Sequence, residues 1–289
     1  MNVKAMSAVI KRSTKRRRPP ILDGIAVLGL SLLAASAVFP VLFMAFNAFR
    51  TQADWDASKL GFPTTLSPVA FERAWTGANI PTYFWNSVTV VSGTVVLSLF
   101  LAAPASYAFA KIQWPGRSVA YLFTLSWMAI PSLLLIVPIY IEMVQLHLID
   151  NKLSVILVYS ALNLSFNVYL LTTFFRSLPN EVLESARIDR ASVHRILWSI
   201  VLPMSRSAIA TLVVFNALWA WNEFVFALIL LQSDGSLTLT VGVLQLQGRF
   251  GTDYPALMAG LLITAVPMIG VYIFFQRYIV QAITAGAVK

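Results

Sequence analysis

Few residues in this sequence could do chemistry, and their spacing assembles no catalytic site. Cysteine is absent, and the two histidines, His147 and His194, fall on opposite sides of the membrane that the apolar runs described below define. The sequence has no Gly-rich phosphate-binding loop and no Cys, His, Asp and Glu cluster with the spacing of metal ligands. We therefore expect no catalytic residue and no bound metal. Any work that the protein performs must take its energy from an ion gradient or from another subunit.

Glu223 is the one ionisable residue that lies well inside a long apolar run. A carboxylate within a membrane costs free energy and marks a functional site by default. Three interpretations stay open. In the first, Glu223 lines a water-filled translocation pathway together with Trp221 and Asn222. In the second, it reaches water at the membrane interface, and in the third it is a structural hydrogen-bond acceptor.

Pro131 and Pro138 interrupt another apolar run and fall near one face of the helix that this run predicts. Proline removes a backbone donor and kinks a helix. Such breaks are tolerated in membranes where neighbouring helices or water satisfy the freed carbonyl groups. We expect a bent helix with Pro131 beside a translocation pathway, and ordinary helix packing is the alternative.

Residues 184–203 form a charged segment between two long apolar runs. Val182, Ser185 and Ala186 would share one face of a helix by their spacing, which leaves small side chains where a partner could approach. Ser192 is a candidate cap for a second helix. A helix–break–helix of this kind either docks a cytoplasmic partner or lies as an amphipathic helix at the membrane surface.

The composition of the chain defines the elements that must position these residues. Of its 289 residues, 58% are hydrophobic and 11% are charged, whereas a soluble domain is about 25% charged. A helix needs roughly 20 apolar residues to cross a bilayer. Six runs are long enough: 25–46, 84–110, 118–141, 153–175, 207–231 and 254–276. We therefore predict an all-α membrane protein with six transmembrane helices.

The distribution of basic residues predicts the orientation of these helices. Basic side chains are concentrated in the tail 1–20, after the second run and between the fourth and fifth runs, whereas the alternate loops carry few. Because basic residues are retained in the cytoplasm, we expect both termini and the segment 184–203 to be cytoplasmic. This orientation explains the net charge of +9, so no nucleic-acid partner is expected. The first run continues beyond Ala35-Ser36-Ala37, which favours an uncleaved helix over a signal peptide.

Three groups of residues resemble the EAA loop of ABC importer permeases, whose pattern is Glu-Ala-Ala, a following glycine and a later Ile-x-Leu-Pro. They are Glu184-Ser185-Ala186, Asp189-Arg190-Ala191-Ser192 and Ile200-Val201-Leu202-Pro203. Further groups are similar to the MalG-type sugar permeases of this family: Asn86-Ser87, 107–111 (YAFAK), Trp221-Asn222-Glu223-Phe224 and 284–289 (TAGAVK). The resemblance extends across nearly the whole chain.

The resemblance implies the permease subunit of an ATP-driven importer, which moves a sugar or oligosaccharide across the bacterial cytoplasmic (inner) membrane. A coupling helix at about 180–192 would sit in a cleft of an ATPase subunit and transmit its motion. The coupling residues would be Glu184, Ser185, Ala186, Asp189, Arg190 and Ala191. The implied partners are a second, MalF-like permease chain, two ATPase subunits, a periplasmic or lipid-anchored sugar-binding protein and membrane lipid. ATP and Mg would be bound by the ATPase subunits, and no cofactor by this chain.

On this basis the chain divides into a basic cytoplasmic tail (1–20), a first transmembrane helix with its outer loop (21–83), a permease domain with the coupling helix (84–280) and a cytoplasmic tail (281–289). Two other functions stay open. One is an ABC permease for another solute, such as a glycerol phosphate diester or a polyamine. The other is an ion-coupled secondary carrier that uses Glu223.

The loop departs from the family pattern at two positions. Ser185 replaces the middle alanine and remains small, whereas Arg190 replaces the glycine. Glycine reaches positive φ freely, and other residues do so at a cost of roughly 1 kcal/mol or more. We expect Arg190 to adopt ordinary backbone angles, with its guanidinium group facing ATPase acids or water.

Overall fold

The computed structural model describes residues 20–61, 63, 66–248 and 251–287, which are helical apart from loops and one short hairpin. The first helices are α1 (Pro20–Ala48), α2 (Gln52–Ala57), α3 (Val69–Gly77), α4 (Ile80–Lys111), α5 (Arg117–Ser126, continued by a 3-10 turn, Trp127–Ala129) and α6 (Ile136–Gln145, preceded by a 3-10 turn, Ser132–Leu135). Next come α7 (Lys152–Ser177), α8 (Asn180–Ile188), α9 (Val193–Met204, with a π-helical turn, Leu197–Val201), α10 (Arg206–Asn222) and α11 (Val225–Leu230). The chain continues with α12 (Leu239–Gly242, followed by a 3-10 turn, Val243–Leu246), the antiparallel strands β1 (Gln247–Gly248) and β2 (Gly251–Thr252), and α13 (Tyr254–Ala287). Most of the predicted basic tail 1–20 and the last two residues of the predicted tail 281–289 lie outside the described residues.

Four of these helices are long and apolar enough to cross a bilayer: Gly24–Ala48 within α1, α4, α7, and Tyr254–Phe275 within α13. Two bent pairs, α5 with α6 and α9 with α10, bring the number to six if each pair forms one span. The prediction of an all-helical membrane protein is therefore confirmed, with four to six candidate spans in the described part of the chain.

The third predicted span, 118–141, is broken at Ile130 and Pro131. The two arms of this span differ in direction by 93°. Ile130 takes an extended backbone with φ −86° and ψ 118°, because a residue that precedes proline is pushed away from helical angles. Pro138 causes no second break, since it lies in the first turn of α6, where its missing N–H is not needed.

The fifth predicted span, 207–231, contains two helices rather than one. α10 ends at Asn222, Glu223 is extended with ψ 128°, and α11 begins at Val225. On its other side, α10 meets α9 at Ser205 and the two axes differ by 80°. The sequence predicted one helix here because the run carries no charged residue except Glu223, which proves to break it.

α4 and α7 pack closely along their length because the contact face of α4 carries small side chains. A Cβ atom added at Gly93 would lie 2.7 Å from Cδ1 of Ile156. Small residues let helix backbones approach each other, as interfaces between membrane helices require. The buried small residues of this face are Thr94, Ser98, Ala102 and Ser106.

Two apolar clusters form the core at opposite ends of the helices. The cluster at the end that carries α8, called here the α8 end, includes Tyr107, Phe175 and Leu183. The cluster at the opposite end includes Tyr83 and Trp221. α8 packs against the first cluster, and the break at Glu223 lies beside the second.

The connection between α1 and α4 is held to the opposite end by two arginines. Arg50 is 2% exposed and donates to Oδ1 of Asn47 at 2.9 Å and to the carbonyl oxygen of Ser58 at 2.6 Å. Arg73 in α3 forms an ion pair of 2.8 Å with Asp253, which directly precedes α13. The long predicted outer loop is therefore ordered against the helices in its described part.

Candidate functional site

α8 is a short charged helix that rests on the membrane-spanning helices through two apolar residues. Leu183 and Ala186 are 3% and 8% exposed and join the apolar cluster of the α8 end. Val182, Glu184 and Ser185 are exposed on the other side. The sequence grouped Ala186 with Val182 and Ser185 on one partner-facing side, and this grouping is wrong because Ala186 packs inward.

The exposed side of α8 is mixed in character. Its charged residues are flanked by a large apolar side chain, Ile188, which is 82% exposed. The carboxylate of Glu184 makes no hydrogen bond or ion pair with any other described residue of this chain. This surface therefore has both charged and apolar groups available to a partner. The exposed charged residues are Glu181, Glu184, Arg187, Asp189 and Arg190.

Arg190 ends α8 in the left-handed conformation, with φ 56°. The expectation of ordinary backbone angles is therefore wrong. The N–H of Ala191 donates to the carbonyl oxygen of Ala186 at 3.0 Å, and the N–H of Arg190 donates to that of Arg187 at 2.9 Å. This pair of bonds is a Schellman motif, which satisfies carbonyl groups at a helix C-terminus and requires positive φ at the first residue beyond it. The bonds and the packing of Ala186 hold Arg190 in a conformation that glycine would adopt freely.

The end of α4 is bonded directly to the start of α8. The ammonium group of Lys111 donates to the carbonyl oxygen of Leu178 at 2.7 Å and to Oδ1 of Asn180 at 2.8 Å. Leu178 is the residue that terminates α7. Three helices therefore meet at one lysine side chain.

The second helix of the charged segment begins where the sequence predicted. Ser192 has an extended backbone, and its Oγ accepts the N–H of Arg195 at 3.2 Å, as an N-cap does. The chain thus forms a helix, a break and a capped second helix, as residues 184–203 predict, although the left-handed conformation of the break was not predicted.

Glu223 closes the break between α10 and α11. Its carboxylate oxygens accept the N–H groups of Val225 at 3.0 Å, Phe226 at 3.2 Å and Ala227 at 3.4 Å, and the hydroxyl group of Tyr159 also donates to it. The first N–H groups of a helix have no intrahelical acceptor, and a negative charge suits the positive end of the helix dipole. Glu223 is therefore a hydrogen-bond acceptor at this helix start, and its place on a translocation pathway stays a prediction.

The two other candidates beside Glu223 have separate surroundings. Trp221 is buried and donates from Nε1 to the carbonyl oxygen of Thr264 at 3.1 Å, which joins α10 to α13. Asn222 is exposed and donates to the carbonyl oxygen of Leu218 within its own helix at 2.7 Å. These side chains therefore lie near one another in sequence without forming a single polar site.

A cavity of about 980 Å³ opens beside the break in the third predicted span. α4, the arms α5 and α6, α7 and the side chain of Trp219 line it, and Ile130 and Ser132 flank Pro131 at its wall. Its polar and aromatic lining residues are Phe123, Thr124, Trp127, Ser132, Glu142, Ser160, Asn163, Ser165 and Trp219.

The sequence predicted a cavity at Pro131 but missed most of the residues that surround it. Neither Trp221, Asn222 nor Glu223 lines this cavity. Glu142 falls just beyond the end of a predicted span, and Asn163 is one of two amides within another, so both resembled ordinary boundary or packing residues. An amide within an apolar run was the one signal in the sequence that could have indicated Asn163.

The loop between α11 and α12 is fixed to the opposite end by Asp150. Its carboxylate accepts the N–H groups of Gln232 at 2.9 Å and Ser233 at 3.0 Å, and the hydroxyl group of Ser236 donates to it as well. These hydrogen bonds hold the pKa of Asp150 well below its usual range. Among the described residues, no group of three or more His, Cys, Asp and Glu side chains could hold a metal ion.

These features define the class of protein. Long spanning helices, two broken spans, a cavity at one break and a charged helix on the surface make a polytopic α-helical membrane protein built like a transporter. The chain belongs to the family described as the inner membrane component of binding-protein-dependent transport systems, whose pattern matches residues 94–285. This match confirms the resemblance to ABC importer permeases that the sequence motifs indicated.

Individual relatives agree with this assignment over most of their length. A putative ABC transporter permease protein, ORF2, of a Caldicellulosiruptor species is 37% identical over 261 residues, which are 90% of this chain and 94% of the relative. The diacetylchitobiose uptake system permease protein NgcG of Streptomyces coelicolor is 33% identical and covers 90% of this chain and 87% of its own. The arabinooligosaccharides transport system permease protein AraQ of Halalkalibacterium halodurans is 32% identical and covers 95% and 99%.

A solved structure shares the fold. A chain in the crystal structure of a bacterial ABC transporter involved in the import of the acidic polysaccharide alginate superimposes with a TM-score of 0.81. The two chains are 23% identical, and the match covers 91% of this chain and 98% of the other. A second alginate ABC transporter structure, which contains an alginate pentasaccharide-bound periplasmic protein, matches with a TM-score of 0.65 at 14% identity.

Proposed function

We propose that this chain is the permease subunit of an ATP-driven importer and moves a sugar or oligosaccharide across the bacterial cytoplasmic membrane. The observation that carries the proposal is α8, a charged surface helix seated by Leu183 and Ala186 with its other side available to a partner. In this family, such a helix couples the permease to an ATPase. Relatives named for diacetylchitobiose and arabinooligosaccharides support a saccharide as the substrate class.

The orientation follows from charge. The tail 1–20 and the segment around α8 carry most of the basic residues, and basic residues are retained in the cytoplasm. Both termini and α8 are therefore cytoplasmic in this proposal, and the loops at the opposite end, with Arg73 and Asp150, face outward. A cytoplasmic α8 is a requirement for coupling, because ATPase subunits work on that side.

The partners are those that the binding-protein-dependent permease family implies. In such importers two ATPase subunits bind ATP and Mg and hydrolyse the nucleotide, which agrees with the lack of a nucleotide-binding motif in this sequence. A second, MalF-like permease chain completes the channel, and a periplasmic or lipid-anchored sugar-binding protein delivers the substrate to the outward loops. The coupling residues of this chain are Glu184, Ser185, Asp189 and Arg190 by exposure, with Ala186 and Ala191 positioning them through the Schellman motif.

The cavity beside Pro131 is the translocation compartment of this chain. Irregular backbone within a membrane is tolerated where it lines a cavity, and the break at Ile130 and Pro131 lies at this cavity's wall. Trp127 and Trp219 offer flat apolar faces to a sugar ring, and Asn163 offers amide groups to its hydroxyl groups. Ligand pockets of about 300–1,000 Å³ combine apolar walls with a few polar groups in this way.

Two alternatives receive less support from the geometry. A secondary carrier needs a carboxylate that is free to bind and release an ion, whereas Glu223 already accepts three backbone N–H groups and a hydroxyl group. A strongly acidic substrate would meet Glu142 and no basic side chain in the cavity of this chain. A neutral saccharide avoids this repulsion.

The test uses the complete transporter in liposomes, with the cognate ATPase, second permease and binding protein. Glu184→Lys reverses a charge on the exposed side of α8, and we expect it to lower ATP-driven uptake of labelled diacetylchitobiose or arabino-oligosaccharide more than ten-fold. Arg206→Glu is the control, because Arg206 is an exposed charged residue near the same end but outside α8, and this charge reversal should keep wild-type uptake.

Insertion and assembly are followed by co-purification of all subunits, so that a folding failure is recognised. Uptake that survives removal of ATP but ceases when the proton gradient is collapsed would overturn the proposal in favour of a secondary carrier. Normal ATP-driven uptake by Glu184→Lys would show that α8 does not couple the two processes.

A further inference from the structure

α4 is bonded to a different functional element at each of its two ends. We propose that α4 is the helix through which α8 and the outward loop 232–239 are coupled, with Lys111 and Asn86 as the positioning residues at its ends. The inference rests on the proposed function, because it gives α8 the role of the ATPase contact. It adds a specific route by which that contact reaches the side where the binding protein arrives.

At the α8 end, Lys111 attaches α4 to the junction of two other helices. Its ammonium group donates to the carbonyl oxygen of Leu178 at 2.7 Å and to Oδ1 of Asn180, the first residue of α8, at 2.8 Å. Hydrogen bonds that involve a charged group are roughly twice as strong as neutral ones. Tyr107 and Leu183 belong to one apolar cluster and add a nonpolar attachment. A displacement of α8 therefore acts directly on the last turn of α4.

At the other end, Asn86 attaches α4 to the loop that precedes α12. Its amide nitrogen donates to the carbonyl oxygens of Gly235 and Leu237, each at 2.9 Å, and its Oδ1 accepts Nζ of Lys152 at 2.9 Å. Asn86 is 4% exposed, so these bonds form where water competes little. The neighbouring Ser87 accepts the N–H of Leu239 at 2.8 Å.

Between these ends, α4 is one continuous helix. At a rise of about 1.5 Å per residue, the stretch from Asn86 to Lys111 is roughly 37 Å long, enough to cross the hydrocarbon layer. Pro104 is the weak point because it removes a backbone donor. There the hydroxyl group of Ser106 donates to the carbonyl oxygen of Val168 at 3.2 Å, which fastens this turn to α7.

This arrangement connects events on the two sides of the membrane. When ATPase closure shifts α8, Lys111 moves with the end of α4 and Asn86 repositions the loop 232–239. Coupling between two sites is reciprocal, so a binding protein that engages this loop changes the position of α8 by the same route. The exposed Asp234 at the tip of the loop is a direct point of contact for such a protein.

The test measures the ratio of binding-protein-stimulated to basal ATP hydrolysis in the complete transporter in liposomes. Lys111→Met and Asn86→Leu remove the polar attachments while keeping side-chain size, and each should lower the ratio at least five-fold, the lower end of typical coupling between sites. Lys111→Arg keeps the positive donor and should restore most of the ratio. The controls are Arg206→Met, an exposed arginine near the same end, and Thr89→Val, whose hydroxyl group bonds only within α4; both should match the wild type.

The decisive comparison is the double variant Lys111→Met/Asn86→Leu. Effects of distant, independent sites normally add as free energies, so their fold-losses multiply. If both residues act through α4, the double variant should lose no more than the worse single variant. Multiplying losses, or a wild-type ratio in Lys111→Met, would overturn the inference.

The same measurements separate this inference from the proposed function. A wild-type complex that hydrolyses no ATP in response to its binding protein would refute the proposed function itself. A stimulated wild type with unaffected variants would refute the role of α4 alone. Co-purification of the partner subunits with each variant identifies any that fail to assemble. If Lys111→Met is among them, Asn86→Leu carries the test, and a wild-type ratio in that variant would overturn the inference.

Discussion

Replacing Arg190 with glycine should strengthen the C-terminal end of α8. Arg190 has φ 56°, a conformation that costs a residue with a Cβ atom about 1–2 kcal/mol. Glycine avoids this cost, although it loses more conformational freedom on folding, by about 0.5–1 kcal/mol. Taking the middle of each range, the net gain is about 0.75 kcal/mol, which lowers the fraction of time that this helix end is open roughly three- to four-fold.

Hydrogen exchange of the purified transporter in nanodiscs measures this fraction directly. The amide of Ala191 is bonded to Ala186, and the amide at position 190 is bonded to Arg187, so both report on the opening of the helix end. We expect their exchange to slow roughly three- to four-fold in Arg190→Gly. Arg190→Ala keeps a Cβ atom and should give no such protection.

Arg187→Gly is the opposite control, because position 187 lies within α8. Glycine there should speed exchange of the same amides, since it costs about 1 kcal/mol in a helix interior. Exchange in Arg190→Gly at the wild-type rate or faster would refute the argument that backbone strain at Arg190 limits the stability of this helix end.

Three further predictions concern the membrane helices and the outward loop. Glu223→Ala leaves the N-terminus of α11 without its acceptors and should destabilise the transporter by about 1–3 kcal/mol, measured by thermal unfolding, whereas Tyr159→Phe should cost less because it removes one donor. Gly242→Ala should destabilise it further, since the new Cβ would lie 2.0 Å from Cδ2 of Tyr83, and a smaller side chain at Tyr83 should restore part of the loss. A carboxyl group whose pKa is lowered by folding stabilises the protein above its unfolded pKa of about 3.9 and loses this effect as the pH falls through the folded pKa. Because hydrogen bonds hold the pKa of Asp150 below its usual range, amide exchange in 232–236, corrected for intrinsic rates, should be equal at pH 7 and pH 5 in the wild type and faster at both in Asp150→Asn.

Local signals in the sequence predicted the features that depend on neighbouring residues. The apolar runs predicted the spanning helices, Pro131 predicted the bend in the third span, and Ser192 predicted the cap of α9. Each of these rests on a rule that acts within a few residues: hydrophobic length, the proline effect on the preceding residue, and side-chain capping.

The sequence did not predict the features that depend on contacts between residues far apart in the chain. Glu223 breaks its helix because its carboxylate accepts the first N–H groups of α11 and the hydroxyl group of Tyr159 in α7. No local sequence pattern predicts these contacts. Arg190 adopts positive φ because the Schellman bonds and the burial of Ala186 outweigh its backbone preference, so the family's glycine was the better guide to the geometry. The attachment of Lys111 to α8 likewise became visible only when helices far apart in sequence were brought together.

The same limit applies to polar groups within the membrane. The buried amides of Asn167 in α7 and Asn216 in α10 donate to each other at 3.2 Å and 2.9 Å, and together they satisfy groups that each run alone would leave unpaired. Either asparagine in isolation resembles a pathway residue. Only the paired geometry identifies them as a contact between two helices.

Cross-linking tests the central claim that α8 is the ATPase contact most directly. The chain contains no cysteine, so a single one can be introduced at an exposed position of α8 by Ser185→Cys, and at the opposite end by Thr76→Cys. In the assembled transporter with a cysteine-reactive cross-linker, we expect Ser185→Cys to join this chain to the ATPase subunit, with a yield that changes when ATP binds, and Thr76→Cys to form no such product. Cross-links to the ATPase from Thr76→Cys, or none from Ser185→Cys in any nucleotide state, would contradict the account.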